Sequence, residues 1–195
     1  MTTTPFLFPS TRNQVQIFDS INQLNTIPWQ NLENISDNSG YASTVKPLYT
    51  ISGLWMEKFL SKTNQLWLTG FDFTNTGTLT GIEFQLGILR SARIEDLLIQ
   101  LTLNGELVGD NLASTVNPVE SNMYTGEYMD SPVPPQPVGD YNIYGGPTNL
   151  WGTTLSSVDI INPTFGIVIS FKSNEIYPHK DLCYVNQVAL RATYA

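Results

Sequence analysis

Alternation of apolar and polar residues is the main signal in this chain, and it predicts strands. Ile82, Phe84, Leu86 and Ile88 alternate with Gly81, Glu83, Gln85 and Gly87, the period-two pattern of a half-buried strand. Leu97, Ile99, Leu101 and Leu103 alternate with Leu98, Gln100, Thr102 and Asn104. Asn104-Gly105 then supplies the positive φ angles of a type I′ turn, so Glu106 to Val108 should return antiparallel. Gly109-Asp110-Asn111 closes that unit. Phe165, Ile167, Ile169 and Phe171 alternate with Gly166, Val168, Ser170 and Lys172. Tyr184, Asn186, Val188, Leu190, Ala192 and Tyr194 are expected to share one face of a terminal strand. Leu66, Leu68, Phe71 and Phe73 flank Gly70, where a bulge is expected.

Elsewhere the pattern is weaker. Residues 1–28 are polar and broken by Pro5, Pro9 and Pro28. Val15, Phe18, Ile21 and Leu24 have helical spacing, so this segment reads either as a short helix or as an extended arm lying on a neighbour. As an arm, it should be dispensable for the fold of residues 29–195. Asn38 to Ser43 reads as a turn into a strand, and Leu54 to Lys62 as a helical turn or two. Residues 114–147 form a long insert rich in proline and tyrosine. Tyr124, Tyr128 and Tyr141 are its candidate partner contacts, because tyrosine is rigid and amphipathic; the other reading folds the loop back on its own domain. Tyr144 to Gly152 reads as an architectural corner. Gly145 and Gly146 permit unusual backbone angles, Pro147 fixes its φ, and Trp151 beside Gly152 sets a large ring where the chain turns. Many short strands and little helix predict an all-β fold: an antiparallel β-sandwich of jelly-roll type.

Composition narrows the range of partners. Of 195 residues 41% are hydrophobic, enough for one domain with a proper core. Only 13% are charged, about half the usual ~25%, so Asn, Thr, Ser and Gln must cover the surface. With a net charge of −8 and nine basic residues, neither nucleic acid nor an anionic membrane is an expected partner. The single cysteine, Cys183, excludes an internal disulfide and reads as a buried strand thiol. The start lacks the features of a secretory signal, and no apolar run approaches the roughly 18 residues that span a bilayer. A soluble chain is expected, and the sequon Asn34-Ile35-Ser36 carries little weight.

Candidate chemistry is sparse. The only histidine, His179, lies in a polar turn, with no Gly-x-Ser-x-Gly elbow to accompany it. Glu83, Glu95, Asp96 and Asp110 are the carboxylates that a glycosidase could use, but outward strand or turn positions explain them more simply. Asp110-Asn111 lacks the ladder of a calcium loop. Neither a phosphate-binding loop nor a dinucleotide fingerprint is present. No cofactor, no metal and no enzyme activity are expected.

The order of motifs resembles a group of structural proteins from tailed bacteriophage particles. The shared string is Gly40-Tyr41-Ala42, Leu66-Trp67-Leu68-Thr69-Gly70-Phe71-Asp72-Phe73, and Thr80-Gly81-Ile82-Glu83 with Arg90 after it. Asp96 before Leu97, Val108-Gly109-Asp110-Asn111-Leu112-Ala113 and the Tyr144–Gly152 passage follow. Phe165-Gly166-Ile167 and Val185-Asn186-Gln187-Val188-Ala189-Leu190, leading to Tyr194, complete it. The match runs from about residue 30 to the C-terminus. Asn149 and Asn186 stand where the group tends to have aspartate, Asn75-Thr76-Gly77 replaces an Ile-Pro step, and the insert is longer.

The resemblance implies a non-enzymatic virion protein: a tail, neck or fibre component, or a head decoration. Its partners would be other virion proteins and copies of itself, in a symmetric or lattice arrangement. The alternative is a carbohydrate-binding module that grips host surface glycan through Tyr124, Tyr128, Tyr141 or Trp67. A small β-sandwich glycosidase or lyase is the third reading.

Overall fold

The computed structural model describes residues 1–19, 24–35, 42–44, 62–91, 94–113, 123–124, 141–173 and 183–195. Short strands open the chain: β1 (Thr2–Thr3), β2 (Thr11–Val15), β3 (Phe18–Asp19), β4 (Leu24–Asn25) and β5 (Trp29–Gln30). A 3-10 turn over Leu32–Ile35 leads to β6 (Ala42–Thr44) and β7 (Gln65–Thr69). The long strands β8 (Leu79–Ser91) and β9 (Ile94–Leu103) follow, then β10 (Glu106–Val108), β11 (Met123–Tyr124) and β12 (Asn142–Gly146). One short helix, α1 (Ser157–Ile161), precedes β13 (Gly166–Ser173) and β14 (Cys183–Tyr194).

These strands form two main sheets. The seven-stranded sheet runs β11-β8-β14-β6-β5, with β12 also on β8 and β1 also on β14. The five-stranded sheet runs β10-β9-β13-β7-β2, and β3 and β4 pair separately. Every described ladder except β11–β8 is antiparallel. The expected all-β sandwich is what the chain forms. Its core lies between the sheets. Ile82, Phe84, Leu86 and Ile88 of β8 and Val188, Leu190 and Ala192 of β14 meet Leu66, Leu68, Ile99, Leu101, Ile167 and Ile169 of the other sheet. Asn104 and Gly105 have φ of 54° and 81°, as the hairpin signal requires.

Three sequence expectations change in detail. First, β8 is not half-buried. Its outward Glu83 and Gln85 are each only 7% exposed. Arg191 and Phe6 account for part of that cover: Arg191 pairs with Glu83, and its guanidinium lies 4.5 Å above the Phe6 ring. Second, β14 and β9 each change phase. The β14–β8 register shifts between Val185 and Gln187. Asn186 is the extra residue, so Cys183 and Val185 turn inward and Tyr184 turns out. The β13–β9 register shifts so that Ser170 faces Leu98 but Phe171 faces Asp96. Leu97 is therefore skipped, and Ile94 and Asp96, not Leu97, join Ile99 and Leu101 on the buried face. Third, Gly70 (φ +73°) ends β7 instead of bulging it.

Among its described residues, the N-terminal segment forms strands that pair within the chain, not a helix. Thr2 and Thr3 pair with Tyr194 and Thr193, Leu7 bridges Leu190, and β2 forms an edge of the five-stranded sheet along β7. Phe18 opposite Asn25 and Asp19 opposite Leu24 make a two-strand ribbon where the spacing suggested helix. A side-chain amide accounts for this placement. Gln14 Oε1 accepts from the Trp29 N–H (2.8 Å), and its Nε2 donates to the Trp29 carbonyl (3.0 Å). It thereby occupies the peptide hydrogen bonds of β5, an edge of the opposite sheet. Asn64 Nδ2 donates to the same Gln14 oxygen (3.0 Å), and the Asn64 carbonyl accepts from Trp29 Nε1 (3.0 Å). The Thr26 hydroxyl donates to Asn64 Oδ1 (2.6 Å). Polar residues that look like surface in the sequence thus form a network joining the edges of the two sheets.

The expected turn over Asn38–Ser43 is described only from Ala42 on, where β6 begins. The expected helical turns over Leu54–Lys62 lie outside the described residues, save Lys62, which bridges Lys172. No helix among the described residues is long and apolar enough to cross a membrane. In α1, Ser156 and Asp159 form a reciprocal capping box. Hydrogen bonds from Ser156 hold the Asp159 carboxyl below its ordinary value of 3.8. Its lowered pKa makes the contribution present at neutral pH and lost as pH falls through the folded value. Asp159→Asn should therefore cost stability at pH 7, by less than about 1 kcal/mol because the group is exposed. Urea titrations of both proteins should converge in acid below the folded pKa.

Candidate functional site

The best-defined constellation is the corner centred on Trp151. Several sequence motifs meet there. Trp151 is fully buried, with φ of 59°, a backbone region costly for a bulky L-residue. Three contacts hold it. Its N–H donates to Asn149 Oδ1 (2.7 Å), its indole Nε1–H donates to the Ile82 carbonyl (3.0 Å), and its carbonyl accepts from the Asp110 N–H (2.6 Å). Ile82 N–H in turn donates to the Asn149 carbonyl (3.0 Å), and the Thr80 hydroxyl donates to the Pro147 carbonyl (3.1 Å). Strand β8, the turn after β10 and the passage after β12 are thereby tied together.

Glycines make this approach possible. Gly145 has φ of +78°, and a Cβ there would collide with the Ile82 carbonyl and the Trp151 indole nitrogen. Gly109 has φ of +72°, and a Cβ there would collide with the Trp151 carbonyl. Gly152 also has positive φ, beside the Asp110 carboxylate. Gly146 differs: nothing lies within 4 Å of its would-be Cβ, so of the paired glycines only Gly145 is sterically required.

Tyr144 adds a link across the sandwich. Its ring stacks on Phe84 (5.6 Å, 27° between planes), and its hydroxyl donates to Asp96 Oδ2 at 2.6 Å. Asp96 is buried in the interior and does not face outward, because the β9 bulge changes its side. Tyr144→Phe should lower stability by about 1–3 kcal/mol, the cost of removing a hydrogen bond from a buried carboxylate. Thermal melts beside the parent chain would check this.

The four carboxylates weighed for glycosidase chemistry have separate surroundings. Glu83 receives both Arg191 Nε and Nη2 at 2.8 Å, and this pairing raises the arginine's pKa. Glu83 points outward as expected, yet it is buried. Glu95 sits 3.3 Å from Lys172. Asp96 holds Tyr144, and Asp110 lies against Gly152. No group of three or more His, Cys, Asp or Glu suited to a metal occurs among the described residues. His179 lies outside them, and Cys183 is buried in β14.

The tyrosine positions are only partly described. Tyr141 is half-buried just before β12. The backbone of Tyr124 pairs with Ser91 at the end of β8. Tyr128 lies outside the described residues. Since β14 occupies one edge of β8, β11 and β12 share the other. Residues 142–146, expected within the insert, instead form a sheet strand, so the insert returns by Tyr141.

The sequence singled out the Tyr144–Gly152 passage but missed its partners Ile82, Gly109 and Asp110. The signal available was the recurrence of glycine beside each of them. Compared with protein-family models, with characterised proteins and with solved structures, the chain matches none.

Proposed function

We propose that this chain is a non-enzymatic structural protein of a tailed-bacteriophage particle, built on a sandwich of jelly-roll type and assembled by protein–protein contacts. The observation that carries the reading is the convergence on Trp151. The stretches Thr80–Glu83, Val108–Ala113 and Tyr144–Gly152, which carry the sequence resemblance, are distant in the chain yet meet in one packed corner. They are thus parts of one architectural unit.

Topology supports the jelly-roll type. Leaving aside the short β10 and β11, strands β7, β8, β9, β12, β13 and β14 alternate between the two sheets, so the chain winds around the core. The non-enzymatic part is supported by the carboxylates, each of which has a structural neighbour of its own. In this reading the partners are other virion proteins and copies of the chain, and the virion is its location. The insert meets the edge of β8 opposite β14 at β11 and again at β12, and in this reading it chooses the partner.

Deleting the gene from the genome that encodes this chain should give incomplete particles by electron microscopy, restored when the protein is supplied from a plasmid. Complete, infectious particles without it would overturn the proposal.

A further inference from the structure

We infer that the outer face of the β2–β7 ribbon binds a neutral saccharide, with the Trp67 indole as its platform. This inference stands on its own observations and does not depend on the particle reading.

Strand alternation fixes the face. Leu66 and Leu68 are fully buried in the core, so Gln65, Trp67 and Thr69 point the other way. On β2, Gln14 points inward to Trp29, so Thr11, Asn13 and Val15 point outward, and all three are exposed. The register sets Thr11 opposite Thr69, Asn13 opposite Trp67 and Val15 opposite Gln65. Trp67 is thus central among short polar side chains and one valine.

The ring is held down. Trp67 Nε1 donates to Gln65 Oε1 at 3.1 Å, along its own strand. Val168, directly across from Trp67 on β13 and on the same outer face, is fully buried. By its Nε1 bond the indole is tethered near Gln65 on the outer face. Being only half-buried, it keeps part of its surface open.

Such a surface matches a sugar ring. The C–H face of a pyranose stacks on an aromatic face, while its hydroxyls need both donors and acceptors nearby. The Asn13 amide and the Thr11 and Thr69 hydroxyls supply both, and among the described residues none of these three side-chain groups has a hydrogen-bond partner. None of the six side chains is ionisable. Arg12 points to the opposite side of β2, and the Lys172–Glu95 pair lies four residues along β13 from Val168. A protein partner or a second copy would need roughly 20–30 residues a side with an apolar centre. One indole and one valine do not provide that centre.

The test uses the full chain, displayed multivalently on a printed array of neutral glucose, galactose, mannose, rhamnose and N-acetylglucosamine oligomers. The best binder is then titrated by calorimetry. The expected result is saturable binding of at least one oligomer. Trp67→Ala should weaken it about tenfold or more, Trp67→Phe less, and the exposed Asn13→Ala by a few-fold. Parallel thermal melts confirm folding, and Asn13→Ala carries the test if Trp67→Ala fails to fold. Absence of any neutral binder, binding of acidic glycans alone, or binding unaffected by these variants would overturn the inference.

Discussion

Trp151→Ala is expected to lower the free energy of unfolding by about 3–5 kcal/mol, the range for truncating a fully buried aromatic residue. The position carries more than volume. Losing the indole N–H leaves the Ile82 carbonyl without that donor, inside the corner. The vacated space adjoins Gly145 and Gly109, whose positive φ and tight contacts leave their backbone little room to collapse. Alanine also keeps a Cβ at a φ of 59°, so the backbone strain remains while the packing that offsets it is lost. Trp151→Phe should recover part of the loss by refilling volume without restoring the hydrogen bond. Urea unfolding followed by circular dichroism checks both. A shift below about 1 kcal/mol for alanine would mean the corner is not the structural centre described here.

The second large effect concerns the N-terminal segment. Deleting residues 1–28 should abolish cooperative unfolding, against the expectation from sequence that this stretch is dispensable. The deletion strips β2 from β7, β1 and Leu7 from β14, and buried Ile27 from the core. It also removes the Gln14 amide and its hydrogen bonds to Trp29 of β5 and to Asn64. Gln14→Ala isolates that last effect. Three hydrogen bonds to partly buried groups are lost, so a cost of about 2–3 kcal/mol is expected. A truncated chain with the same near-ultraviolet spectrum and melting temperature as the parent would show that the segment is indeed a detachable arm.

What the sequence revealed follows from how each element is stabilised. Strand β8 and the Asn104-Gly105 hairpin were legible because one apolar face and one turn chemistry specify them locally. The phase changes in β9 and β14 were not. Leu97 and Leu98 are both apolar, as are Val185 and Val188, so either parity of alternation fits the letters and only pairing with β13 and β8 decides. Asp96 was misplaced outward for that reason. Strand β2 was hidden because Thr11, Asn13 and Gln14 carry no hydrophobic period. Its place depends on β7 and on an amide contact with a residue fifteen positions away. At the Trp151 corner the glycine-rich passage was visible, but the carbonyls it packs against belong to strands that sequence cannot bring together.

The proposed particle role is tested most directly by quantitative mass spectrometry of purified particles from the phage proposed to encode this chain. The account predicts that the chain is present in fixed ratio to the main shell protein. A ratio near one marks a head decoration, and a much lower ratio marks a tail, neck or fibre component. Complete absence from particles, with the protein abundant in the infected cell, would contradict it.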